Sequence, residues 1–148
     1  TFPIGEAFSE AVDLSSVSGK VRIFGYPNMQ FKVIFCEPFT ADIVDGKLLH
    51  NDGHPADFLS LMAMIHEAEG GDVLVREIGV GFNRAISRET PLSDVNAYER
   101  QLGMHLSLGK KHGIFAKKFP KDVVQKYYID VFLEVDRLEF GGERFSGL

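Results

Sequence analysis

A single stretch of this chain has helical spacing, and that limits the folds open to it. In "DFLSLMAMIHEAEGG" the residues at 58, 61, 62, 65 and 68 are apolar, a pattern that lines one face of an α-helix. His54-Pro55 opens the stretch and Gly70-Gly71 closes it, so a helix is expected over about 55–69. Most other apolar residues fall in short runs rich in Val, Ile, Phe and Tyr, which favour strands. "GKVRIFG" (19–25), "QFKVIFCEPF" (30–39), "DVLVREIGVGFN" (72–83) and "GMHLSLG" (103–109) are such runs, and "YYIDVFLEVDRLEFGGERF" (127–145) reads as two strands around a bend near Val135 to Arg137, then a Gly-Gly turn. "TADIVDGKLLH" (40–50) reads as a hairpin about Asp45-Gly46, a dipeptide suited to a turn with positive φ. Ser93-Asp94 opens a short helix through Arg100, and "FPKDVVQK" (119–126) reads as a helical turn. The expected fold class is α+β: a mostly antiparallel or mixed curved sheet with one firm helix and short helical turns.

The 148 residues fit one domain. A net charge of −5 argues against nucleic acid, which calls for a basic surface. No apolar run reaches the roughly 20 residues that span a bilayer, so no membrane partner is expected. The lone Cys36 cannot form an internal disulfide and is compatible with a cytoplasmic location. The chain opens on Thr1, and "TFPIGEAFSE" already reads as structured. The expectation is a single domain over 1–148 that forms the C-terminal part of a longer chain.

Four polar residues sit where strand-like or Pro/Gly-shaped segments would not ordinarily place them. Glu77 interrupts a strand run, with Val73, Val75 and Gly79 expected on its face and Leu74, Arg76, Ile78 and Val80 on the other. His105 lies among apolar neighbours and shares its strand face with Ser107. Asp130 lies between Ile129 and Val131, and Glu6 within "FPIGEAF". Each has an ordinary reading: an exposed strand glutamate, a hydrogen-bonded core histidine, an aspartate paired with Lys or Arg, a surface-loop glutamate. Taken together, carboxylates and an imidazole suit Zn, Co or Mn. No compact metal, nucleotide or nucleophile motif is present, and Ser107 has no recognisable nucleophile setting.

The order of these segments resembles the C-terminal catalytic portion of the thermophilic metalloaminopeptidases, the aminopeptidase T-like family. "PIGEAF" (Pro3, Gly5, Glu6, Phe8), "EIGVGFN" (Glu77 to Asn83), "ERQLGMHLSLG" (Glu99, Gly103, His105, Gly109) and "YIDVFLEV" with Asp130 carry the resemblance, which spans nearly the whole chain. It implies a site for one or two divalent metals, Zn, Co or Mn, with Glu6, Glu77, His105 and Asp130 as ligands. It also implies a peptide or small amide substrate, a homodimer and an N-terminal domain upstream. Glu99 is the implied general base. Arg100 replaces the family's Lys. Tyr128 occupies a ligand position where the family has His, and His112 the position of its active-site Tyr, so the two residue types have exchanged places. His112 is then either a ligand or a group that orients the tetrahedral intermediate. The expected function is a metal-dependent aminopeptidase-like hydrolase. The alternatives are a peptidase-fold protein that binds metal, peptide or a partner chain without hydrolysing anything, and a plain scaffold whose polar groups lie far apart on the surface.

Overall fold

The structure, a computed structural model, describes residues 5–10, 13–109, 127–135, 138–140 and 143–145. The expected α+β class is what it shows. A seven-stranded sheet contains β1 (Glu6–Ser9), β2 (Gly19–Pro27), β3 (Val33–Val44), β4 (Lys47–Leu48), β5 (Val75–Gly81), β6 (Gly103–Gly109) and β7 (Tyr128–Leu133). Their spatial order is β1-β5-β6-β7-β2-β3-β4, and every strand pairing is antiparallel. β8 (Leu138–Phe140) and β9 (Glu143–Phe145) form a separate ribbon. The long helix, α1, runs Ala56–Glu69, and a short one, α2, runs Val95–Tyr98. The helical turn expected at 119–126 lies outside the described residues.

Helix α1 covers one face of the sheet. Phe58, Leu61, Met62 and Ile65 are its buried residues, the first four positions of the apolar spacing. They join Ile23, Tyr26, Ile43, Val75, Leu106, Leu108, Ile129 and Val131 in the main core. Phe58 is fully buried, with the rings of Phe39, Tyr26 and His54 at centroid distances of 4.9, 5.2 and 5.6 Å. A smaller cluster of Phe24, Ile86, Val95, Tyr98 and Phe132 forms apart from this core. Tyr98 stands edge-on to Phe132 at 4.7 Å, and so α2 is packed against β7.

The Asp45-Gly46 turn has positive φ at both central positions, 50° and 75°, as the tight hairpin between β3 and β4 requires. The segments read separately as 30–39 and 40–44 are one twelve-residue strand, β3. Ile23 pairs with Phe39 and Gly25 with Phe35, so β3 carries extra residues at that point. Pro38 falls inside this irregularity, where its missing N–H interrupts no regular ladder.

A second irregularity, in β5, corrects the expected strand faces. Val75 pairs with Leu108 while Glu77 pairs with Ser107, so Arg76 is an extra residue in the ladder. Val75 therefore lies in the main core with Leu106 and Leu108. Glu77 is on the opposite face, with Ser107, and does not share a face with Val75 as simple alternation predicts.

Candidate metal centre

Three adjacent strands bring the site together. Across β5, β6 and β7 the register aligns Glu77, Ser107 and Asp130 in one row. The next row on the same face is Gly79, His105 and Phe132. β1 adds Glu6 at the sheet edge, opposite Gly81. Four residues distant in sequence thus converge because antiparallel pairing repeats side-chain direction every second residue.

Two glycines make the approach close. A Cβ on Gly79 would overlap the imidazole of His105, which lies across it. A Cβ on Gly81 would overlap the Gln101 carbonyl, so the turn Glu99–Gln101 packs directly on β5. That turn follows α2, whose start is capped by the Asp94 side chain accepting from Asn96 N–H. Glycine inside a strand often marks such a contact, and both glycines belong to "EIGVGFN".

Glu6, Glu77 and His105 each offer a ligand atom, and the three atoms lie within 4.8 Å of one another. Ligands at about 2.0–2.3 Å from one ion are at most about 4.6 Å apart, so the cluster closes on an ion with small shifts. His105 is fully buried, yet neither ring nitrogen makes a hydrogen bond among the described residues. Its Nε2 lies 3.3 Å from Glu6 Oε1. A buried imidazole that makes no hydrogen bond, with the Glu6 carboxylate near one nitrogen, is costly unless something else satisfies it. Among the described residues, His105 is therefore not the hydrogen-bonded core histidine of the ordinary reading; its Nε2 faces the Glu6 carboxylate. Glu77 is 1 % exposed, not a surface strand residue. Glu6 is in a strand, with its side chain 17 % exposed, so the cluster reaches solvent on that side.

Asp130 and Tyr128 stand beside the three-residue cluster. Asp130 is 1 % exposed, and the Ser107 hydroxyl donates to its Oδ1 at 2.6 Å. No Lys or Arg forms an ion pair with it among the described residues. The Tyr128 hydroxyl donates to Glu77 Oε1 at 2.9 Å and lies 2.9 Å from Ser107 Oγ. Ser107 is thus central to the site, although nothing but its shared face with His105 signalled it in the sequence.

Glu99 completes the group. Burial, then the charges of Asp130 and Glu6, push its carboxyl up to about 8, and it shares a hydrogen bond with Asp130. Asp130 is also raised, by burial first, with His105 and the hydrogen bonds from Ser107 and Glu99 opposing that rise. Burial, with Asp130 next, raises the Tyr128 phenol well above its ordinary value, so it stays protonated and acts as a donor. His112 lies outside the described residues.

The donor set of two carboxylates and an imidazole, with a third carboxylate adjacent, fits a divalent ion of the Zn, Co or Mn type. Among the described residues no helix is long and apolar enough to cross a membrane. In comparisons with known proteins, no family model, no curated protein and no solved structure matches this chain.

Proposed function

We propose that the protein is a metal-dependent amide hydrolase of the aminopeptidase T-like kind, acting on the amino end of a peptide or on a small amide. The observation that carries this reading is the buried His105 imidazole, without a hydrogen bond at either nitrogen among the described residues and within ligand reach of Glu6 and Glu77. A divalent ion held there would polarise a carbonyl and lower the pKa of a bound water. Glu99, which the charge of a bound divalent ion would draw back toward its ionised form, would take the proton from that water and return it to the leaving amine. The hydrogen bond that Glu99 shares with Asp130 holds that carboxyl beside the centre. The edge at Glu6, whose side chain is 17 % exposed, would give the substrate its approach. A cytoplasmic location goes with this reading, in keeping with the unpaired Cys36.

A second reading, metal binding without hydrolysis, is favoured by one specific feature. Tyr128 supplies a protonated phenol where the family resemblance calls for an imidazole ligand.

The two readings separate in one experiment. Protein purified without chelator is analysed for metal, then supplied with Zn, Co or Mn and offered a panel of aminoacyl amides and short peptides. The hydrolase reading expects bound metal and amino-acid release, both lost in Glu77→Ala and His105→Ala. Metal without release from any substrate favours the second reading. A protein that stays metal-free in all three ions removes both.

A further inference from the structure

The site has two halves that differ in chemistry. On one side, Glu6, Glu77 and His105 present ligand atoms to a common point. On the other, Glu77 and Asp130 are joined through hydroxyl groups. Tyr128 donates its only hydroxyl hydrogen to Glu77 Oε1 at 2.9 Å, and Ser107 donates to Asp130 Oδ1 at 2.6 Å. The two hydroxyl oxygens are themselves 2.9 Å apart, and Ser107 Oγ is 3.4 Å from Glu77 Oε1. All four groups lie in or beside one cross-strand row of β5, β6 and β7.

From this division we infer that the centre takes a single divalent ion, at Glu6, Glu77 and His105, and that the Ser107 and Tyr128 hydroxyls fill the place between Glu77 and Asp130 that a second ion would need. The inference rests on the metal-binding reading proposed above and narrows it. Paired ions in hydrolytic sites sit about 3.5–4 Å apart and share a bridging carboxylate. Here Glu77 is the carboxylate common to both halves, so a second ion would have to lie between it and Asp130. That space holds two oxygens whose hydrogens point at the same carboxylates. An ion entering there would meet the two carboxylates but displace both hydrogen bonds, and besides those carboxylates it would find the neutral Ser107 and Tyr128 hydroxyls, which are weak donors to Zn or Co where the first ion has an imidazole. Ser107 is fully buried and its strand is fixed on both sides by β5 and β7, so it cannot move away without disturbing the ladder. The hydroxyl pair does for the two carboxylates what a cation does elsewhere: it keeps them close without letting them repel.

The test is stoichiometry, read without any assay of activity. Metal-free protein is titrated with Co(II) by calorimetry and by visible absorption, and the dialysed complex is counted by elemental analysis. Mn(II)-loaded protein is examined by electron paramagnetic resonance. The inference expects one equivalent of Co(II) and an uncoupled six-line Mn(II) signal. In Tyr128→His, which removes the phenol hydrogen and supplies a nitrogen ligand, a second and weaker equivalent is expected. Two equivalents or an exchange-coupled Mn(II) spectrum in the unaltered protein overturn the inference and leave the metal-binding reading intact. No bound metal overturns both. One equivalent in the unaltered protein and still one in a folded Tyr128→His overturns the role given to Tyr128. The measurements on the unaltered protein decide the ion count even where that variant does not fold.

Discussion

The imidazole of His105 lies across Gly79, its cross-strand partner, in space that any side chain at 79 would occupy. The backbone at Gly79 is ordinary strand, so the demand for glycine is one of volume and not of torsion angle. Gly79→Ala is therefore expected to destabilise the protein by about 1–3 kcal/mol, the usual cost of overpacking, and to abolish metal binding by turning the ring aside. In a His105→Ala background the same substitution should cost almost nothing, because the obstacle is gone. A double-mutant cycle by urea denaturation measures the coupling. Equal costs in the two backgrounds would show that the ring and the glycine do not compete for space.

Glu99 makes the metal-free protein sensitive to pH in a defined direction. Its carboxyl is raised from 4.5 to about 8 by burial, by Asp130 and by Glu6, while Arg100 opposes the rise. Below pH 4.5 the folded and unfolded chains both hold this proton, and the group adds no pH dependence. Between about 4.5 and 8 the unfolded chain releases the proton and the folded one keeps it, so stability falls as pH rises. Above about 8 both are ionised and the loss is complete. Asp130, raised as well, acts with the same sign. One proton contributes at most about 1.4 kcal/mol per pH unit. Urea midpoints at pH 5, 6, 7 and 8 in the presence of a chelator should decline more steeply for the unaltered protein than for Glu99→Gln. Parallel curves would mean that Glu99 is ionised in the fold.

How far the sequence reveals this architecture depends on whether a feature is periodic. Helix α1 is legible because Phe58, Leu61, Met62 and Ile65 repeat at helical spacing, and the β3–β4 hairpin because Asp45-Gly46 tolerates positive φ. The common face of His105 and Ser107 follows from alternation alone. Glu77 shows where alternation stops being enough. Its partner Ser107 and its separation from Val75 are set by the extra residue Arg76, and a bulge leaves no mark in hydropathy. Ser107 is hidden for another reason: a serine in a strand has the same appearance whether it meets solvent or links two buried carboxylates. The carboxylates and the imidazole stand out because buried ionisable groups are rare, whereas the hydroxyls that organise them do not.

Arg76 is expected to matter for Glu77 without touching the centre. It is 3 % exposed, and its Nε–H donates to the Gly109 carbonyl at 2.8 Å, the last residue of β6. That bond ties the bulge of β5 to the far end of its neighbour and so fixes which face Glu77 takes. Arg76→Met keeps much of the volume and removes the donor. The expected cost is about 1.5–3 kcal/mol, typical of a hydrogen bond from a charged group. Co(II) affinity should fall at least about tenfold, the lower range for residues that orient ligands. Calorimetric titration at a temperature where the variant remains folded separates the two effects. Unchanged affinity in a destabilised variant would reduce Arg76 to a structural role.

Phe58 offers the opposite case, a large stabilising residue on the face of the sheet away from the centre. It is fully buried on α1 and meets Phe39, Tyr26 and His54 at 4.9–5.6 Å between ring centroids. Phe58→Ala removes that aromatic contact and leaves a cavity, at an expected cost of about 3–5 kcal/mol. The His54 ring would lose a neighbour but keep its hydrogen-bonding contact, Nε2 to the Thr40 carbonyl at 3.1 Å. The row formed by Glu77, Ser107 and Asp130 lies on the other face, and its register depends on backbone pairing that the substitution does not interrupt. Thermal melts should therefore show a marked drop in midpoint, while the Co(II) spectrum recorded well below that midpoint keeps its shape and its single equivalent. A changed spectrum in the folded variant would mean that the helix side of the sheet helps to set the ligand geometry, and that the two faces are coupled through the strands.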